Sequence, residues 1–138
     1  MKKILFAIGI LGALAVILGA FGAHALVPKL PAESLASYKT GVLYHFIHIL
    51  AALIASILYL LTKNKLFRTS AYIFLIGILL FSGSIYLLST RSITHLEISW
   101  LGPVTPVGGV LFILGWICLA IAGFGSEVKW APNQEQEA

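Results

Sequence analysis

A chain of 138 residues that is 59% apolar and 10% charged, with a mean hydropathy of +1.00, cannot hide its apolar surface in water. That length leaves room for one compact bundle and none for a separate soluble domain. The net charge of +4 comes from basic residues standing singly or in pairs between apolar runs, with no basic patch or stripe, which argues against a nucleic-acid partner.

Lys2 and Lys3 open the chain, and no charged residue follows until Lys29, so Ile4–Leu26 is the first predicted membrane span. Ala23-His24-Ala25 also resembles a signal-peptidase site. The apolar run is longer than a signal core, however, and its small residues suit packing, so an uncleaved helix is expected. The uncharged stretches between Lys39 and Lys63 and between Arg68 and Arg91 give Gly41–Leu61 and Ser70–Ser89. The last stretch is broken by Gly102, Pro103, Thr105 and Pro106. Thr105 reads as an N-cap and Pro106 as the first helical residue. From there to Phe124 the rise is about 28 Å, enough to cross.

In hydrocarbon every backbone N–H and C=O needs an internal partner, so spans of this kind are helices. The predicted fold is all-α, a polytopic membrane protein with a four-helix transmembrane bundle over residues 1–126. Residues 127–138 form a cytoplasmic tail, expected to be disordered because Pro132–Ala138 has no apolar face to bury. Arg91–Thr105 is an external loop with Trp100 at the interface. Six basic residues (Lys2, Lys3, Lys63, Lys65, Arg68, Lys129) fall on one side against Lys29, Lys39 and Arg91 on the other, which puts both termini in the cytoplasm. Cys118 stands alone in an apolar run and builds neither a disulfide nor a Cys-based zinc site.

Lipid is as apolar as leucine, so helices in it associate through close approach and hydrogen bonds, which favours small residues at contacts. Gly12, Ala15, Gly19 and Gly22 form such a stripe on the first helix. On the second, Gly41, His45, His48, Ala52, Ala55 and Tyr59 share a face opposite Leu43, Leu50, Leu53, Ile54 and Ile57, the latter facing lipid. Ser70, Gly77 and Ser84 on the third helix and Gly108, Gly115 and Ala122 on the fourth repeat at heptad spacing, with Gly83 and Gly109 beside them. Ser82 and Ser84 have two outlets, a carbonyl one turn back or a neighbouring helix.

Four ordered motifs also carry a resemblance: Leu18-Gly19-Ala20-Phe21-Gly22-Ala23-His24; Thr40-Gly41 with Tyr44 and His48; Phe81-Ser82-Gly83-Ser84-Ile85-Tyr86; and Thr105-Pro106-Val107-Gly108-Gly109 with Gly115-Trp116. Together they resemble the bacterial YgdD/YwdK-like family of small four-helix inner-membrane proteins, a family of unknown function. The resemblance implies four uncleaved helices in the bacterial cytoplasmic membrane and supplies no activity. It matches His24, Tyr44 and His48 to family positions, whereas that of His45 is often Gln and the loop carrying His95 varies.

Under this topology His24, Tyr44, His45, His48 and His95 are expected to meet at the external end as a polar or ligand cluster. His45 and His48, three apart, suit a metal such as Zn²⁺ or Cu²⁺, and haem at His24, His45 or His48 is a further use of imidazole near an interface. No catalytic motif is present, and the external acids Glu33 and Glu97 sit in predicted loops. Two functions remain: a non-catalytic accessory or scaffold protein packing against itself or another membrane protein, or a small binding or transport unit holding a metal ion, cofactor or solute at the histidine end.

Overall fold

The computed structural model describes residues 1–126, so the expected tail lies outside the described residues. The elements are α1 (Lys2–Ala20), prolonged by a π-helical turn at Phe21–Ala25, then α2 (Ala32–Thr62), α3 (Lys65–Thr94), a 3-10 turn at Ser99–Leu101 and α4 (Val104–Phe124). These make four helices long and apolar enough to cross a membrane, and no strand occurs among the described residues.

Two helices are longer than their apolar parts. The segment Ala32–Thr40 is too polar for hydrocarbon but rich in helix formers, and Pro31 at the N-cap, with Glu33 in the first turn, starts α2 there. At 1.5 Å per residue α2 measures about 46 Å against a hydrocarbon core of about 30 Å, so it projects beyond the bilayer. Lys63, in the left-handed region at φ 60°, closes α2. Asn64 opens α3 by accepting the Leu66 N–H at 3.0 Å. The Asn64 amide also donates to Ser126 Oγ at 2.8 Å, tying this turn to the end of α4. α3 ends at His95, again left-handed at φ 52°.

α4 starts at Val104, two residues ahead of the expected Pro106. Thr105 is therefore the second residue of α4 and not its N-cap, which is Pro103, and its hydroxyl pairs with that of Ser84 at 2.7 Å. Pro106 is tolerated there because the first four N–H groups of a helix have no intrahelical acceptor.

The apolar windows of α2 and α3 are 44% and 39% buried, against 17% for α1 and 22% for α4. α2 and α3 are therefore the inner pair; α1 flanks α2 and α4 flanks α3. Ile4, Ile8, Ile49, Ala52, Phe74, Ile78 and Phe112 make the main core, and Leu26, Leu30 and Tyr38 a smaller one at the loop end. Leu43, Leu50, Ile54 and Ile57 point outward and Gly41, His45, His48, Ala52 and Ala55 are buried, as the periodicity of α2 indicates, but Leu53, expected to face lipid, is half-buried against the main core, and Tyr59 is only half-buried.

The heptad stripes of α3 and α4 face each other. Ser70 Oγ donates to the Gly115 carbonyl at 2.8 Å. A Cβ on Gly115 would meet the Phe74 ring at 2.6 Å, and one on Gly108 would meet Phe81 Cα at 2.7 Å. A Cβ on Gly109 would make only ordinary contact, at 3.7 Å from the Phe81 ring. On α1 the stripe holds at Ala15, which is fully buried, at Gly19, where a Cβ would stand 3.4 Å from Val42, and at Gly22, where one would stand 2.8 Å from the Tyr38 ring. Gly12 and Gly83 were expected at contacts, but a Cβ added at either would meet no other part of the described residues within 4 Å. At the amino-terminal half of α1 the contact is made by Ile4, Ile8 and Leu11, which turns Gly12 aside.

Candidate functional site

His48 is 4% exposed and lies sixteen residues into α2, about 24 Å from its start and well inside the span. The fate of both its nitrogens is fixed. A carbonyl only accepts, so Nδ1–H donates to the Tyr44 carbonyl at 2.7 Å. An indole N–H only donates, so Trp116 Nε1–H donates to Nε2 at 3.3 Å. These two bonds specify one neutral tautomer. The ring also lies flat on Phe112, with centroids 3.5 Å apart and planes 9° from parallel. Beside it, a cleft of about 470 Å³ between α2 and α4 is lined by Tyr44, His48, Phe81, Gly109 and Trp116.

His45 is more deeply buried still and serves the other side of α2. Its Nδ1 pairs with the Tyr86 hydroxyl at 3.2 Å. Tyr86 packs against Tyr38, centroids 5.0 Å apart, and Tyr38 donates to the Leu18 carbonyl of α1 at 3.1 Å. The remaining nitrogen, Nε2, is buried without a hydrogen-bond partner among the described residues. Ser82 Oγ is likewise buried without a partner. Ser84 uses both outlets the sequence offered, donating to the Phe81 carbonyl at 2.9 Å while also pairing with Thr105.

The five residues expected to converge do not. His24 is exposed in the π turn. Because Gly22 packs on Tyr38, His24 lies level with the first turns of α2, about 18 Å along the axis from His48. His95 is exposed and closes α3, its N–H donating to the Arg91 carbonyl at 2.9 Å. Tyr44 is 38% exposed and joins His48 only through its backbone carbonyl and ring. His45 and His48, about 60° apart around the helix, address α3 and α4 respectively. The expectation failed because α2 and α3 run on as helix to Ala32 and Thr94, so His24 and His95 lie beside or at the end of these added turns, away from His45 and His48. Among the described residues no group of three or more His, Cys, Asp or Glu side chains lies together as a metal site. The metal-binding alternative is thus without support, as His48 has no free lone pair. Tyr86, Phe112 and Trp116 were missed as partners, although Tyr86 and Trp116 stand within the motifs that carry the resemblance.

Four apolar helices with hydrogen-bonded histidines, hydroxyls and an indole buried between them define an integral membrane protein. The chain belongs to the family described as "Protein of unknown function (DUF423)", whose model matches residues 18–109. It is 42% identical over 126 residues to the UPF0382 membrane protein YwdK of Bacillus subtilis, covering 87% of this chain and 95% of the relative. A UPF0382 membrane protein of Haemophilus influenzae is 43% identical, covering 91% and 97%. The UPF0382 inner membrane protein YgdD of Escherichia coli is 37% identical, covering 89% and 90%. None of these names carries an enzymatic activity. No solved structure matches the chain.

Proposed function

We propose that this protein is a non-catalytic accessory or scaffold protein of the bacterial cytoplasmic membrane, acting through an outward helix surface on a second copy of itself or on another membrane protein. The observation that supports this reading is the outer flank of α1. Gly9 and Gly12, three apart, leave open space where side chains would stand, on the helix least covered by the rest of the bundle. Such a groove admits a helix backbone at close range. The polar groups within the bundle, by contrast, are largely spent on one another. The intended orientation has both termini in the cytoplasm, supported by Lys2, Lys3, Lys63, Lys65 and Arg68 at one end against Lys29, Lys39 and Arg91 at the other.

The test is disulfide cross-linking from a single cysteine at Gly12 in a Cys118→Ser background, in native membranes. A covalent dimer, or a cross-link to one defined membrane protein, is expected. Absence of any cross-link, together with a monomeric mass by light scattering in nanodiscs, overturns the reading.

A further inference from the structure

The bundle is uneven in height. α4 begins level with Ser84, to which Thr105 is bonded, whereas α3 runs on to Thr94, about 15 Å further along its axis. The space left over α4, between α2, α3 and the 95–103 loop, is a cavity of about 490 Å³ lined by Glu33, Ser34, Ser37, Ser89, Arg91 and Ser99. Its size falls in the range of small-ligand sites, roughly 300–1,000 Å³. It lies where the helices leave the hydrocarbon, the level of lipid headgroups.

Two features mark it out. Ser89 is 6% exposed, yet its hydroxyl makes no hydrogen bond among the described residues. Its neighbours on α3 behave otherwise: Thr90 and Thr94 donate to carbonyls one turn back, at 2.8 and 3.1 Å. Glu33 and Arg91 face the same cavity, and no ion pair within 4 Å joins them. Each charge complements its own helix end, Glu33 in the first turn of α2 and Arg91 in the last turn of α3. Helix-end preference explains each residue singly. It does not explain why both share one hollow with the unpaired hydroxyl of a serine that is otherwise buried.

We infer that this cavity is a binding site for a small zwitterion of the phosphoethanolamine type, whether the headgroup of a lipid or a free solute. The carboxylate of Glu33 accepts from the primary ammonium. The guanidinium of Arg91 holds the phosphate through paired N–H donors, and the serine hydroxyls take its remaining oxygens. A quaternary ammonium offers Glu33 no N–H, and a glycerol headgroup offers it no cation. The inference is independent of membrane orientation and of any self-association through α1.

Native mass spectrometry of the full chain in a non-ionic detergent tests it, with short-chain phosphatidylethanolamine, phosphatidylcholine or phosphatidylglycerol added, and O-phosphoethanolamine in a separate arm. Phosphatidylethanolamine should bind at least about fivefold more tightly than phosphatidylglycerol, a modest demand for charge-assisted bonds. E33Q should erase that preference, and R91Q should weaken every phospholipid. Both side chains are exposed, and an unchanged melting point of each variant confirms that folding is intact. Binding of O-phosphoethanolamine as tight as that of the lipid supports a soluble ligand, and lipid binding alone supports the headgroup. Equal binding of phosphatidylglycerol, no adduct at all, or indifference to both substitutions overturns the inference.

Discussion

At the scale of single residues, the strongest constraint is the chain of donors through His48. Trp116 supplies the proton that His48 Nε2 accepts, so Trp116→Phe removes the donor and leaves a buried acceptor. Interhelical bonds in bilayers are worth about 0.6 kcal/mol on average and up to roughly 1.7, so a loss of about 1 kcal/mol is expected, read as a lower melting point in detergent. His48→Ala also removes the Phe112 stack and leaves a cavity, and should cost about 2–5 kcal/mol. Since both nitrogens are engaged, added Zn²⁺ should raise the melting point of the parent no more than that of His48→Ala. A metal-dependent gain confined to the parent would show that a ligand displaces Trp116 from its bond. The bonding of His48 was hidden in the sequence, because its partner lies 68 positions away on a helix with no other polar group at that level.

At the scale of the helix, glycine position decides tolerance. A methyl group on Gly108 would run into the α3 backbone at Phe81, which cannot rotate away, so Gly108→Ala should cost roughly 1–3 kcal/mol. Gly12→Ala meets nothing within 4 Å and gains helix propensity, so it should leave stability within about 1 kcal/mol of the parent or raise it. Equal melting of the two variants would show that the α3–α4 contact is not as close as described. At the end of α3, His95 pays for a left-handed backbone that glycine adopts freely, so His95→Gly should stabilise by up to about 1 kcal/mol. The α3–α4 stripes and the two faces of α2 were legible because heptad and 3.6-residue periods survive any error in the ends. The ends themselves were not. Hydropathy finds the part of a helix that lies in lipid, and the polar turn from Ala32 to Thr40 belongs to α2 without being apolar. The unread helical turns at the loop ends of α2 and α3 are what hold His24 and His95 apart from His45 and His48.

For the whole molecule, the open arrangement of the flanking helices and the division of charge bear on how the chain sits and what it meets. Four consecutive antiparallel helices bring Met1, the Lys63–Asn64 turn and Ser126 to one end, where Asn64 bonds Ser126 and Arg68 lies over the Tyr59 ring at 5.3 Å. The proposed orientation makes that end cytoplasmic, since basic residues in short loops resist translocation. Asn64 is unsuitable as a reporter because it caps α3 and ties down α4. Leu66 and Ala36 are exposed near opposite ends and free of side-chain bonds among the described residues, so a cysteine at either leaves the caps intact. In a Cys118→Ser background, a membrane-impermeant maleimide added to intact cells should label Ala36→Cys and spare Leu66→Cys until the membrane is broken. The reverse pattern would place the zwitterion-binding cavity on the cytoplasmic side, where its headgroups would come from the inner leaflet. Labelling of both from outside would mean that Leu66 and Ala36 lie on the same face of the membrane, which four crossings in this order cannot produce.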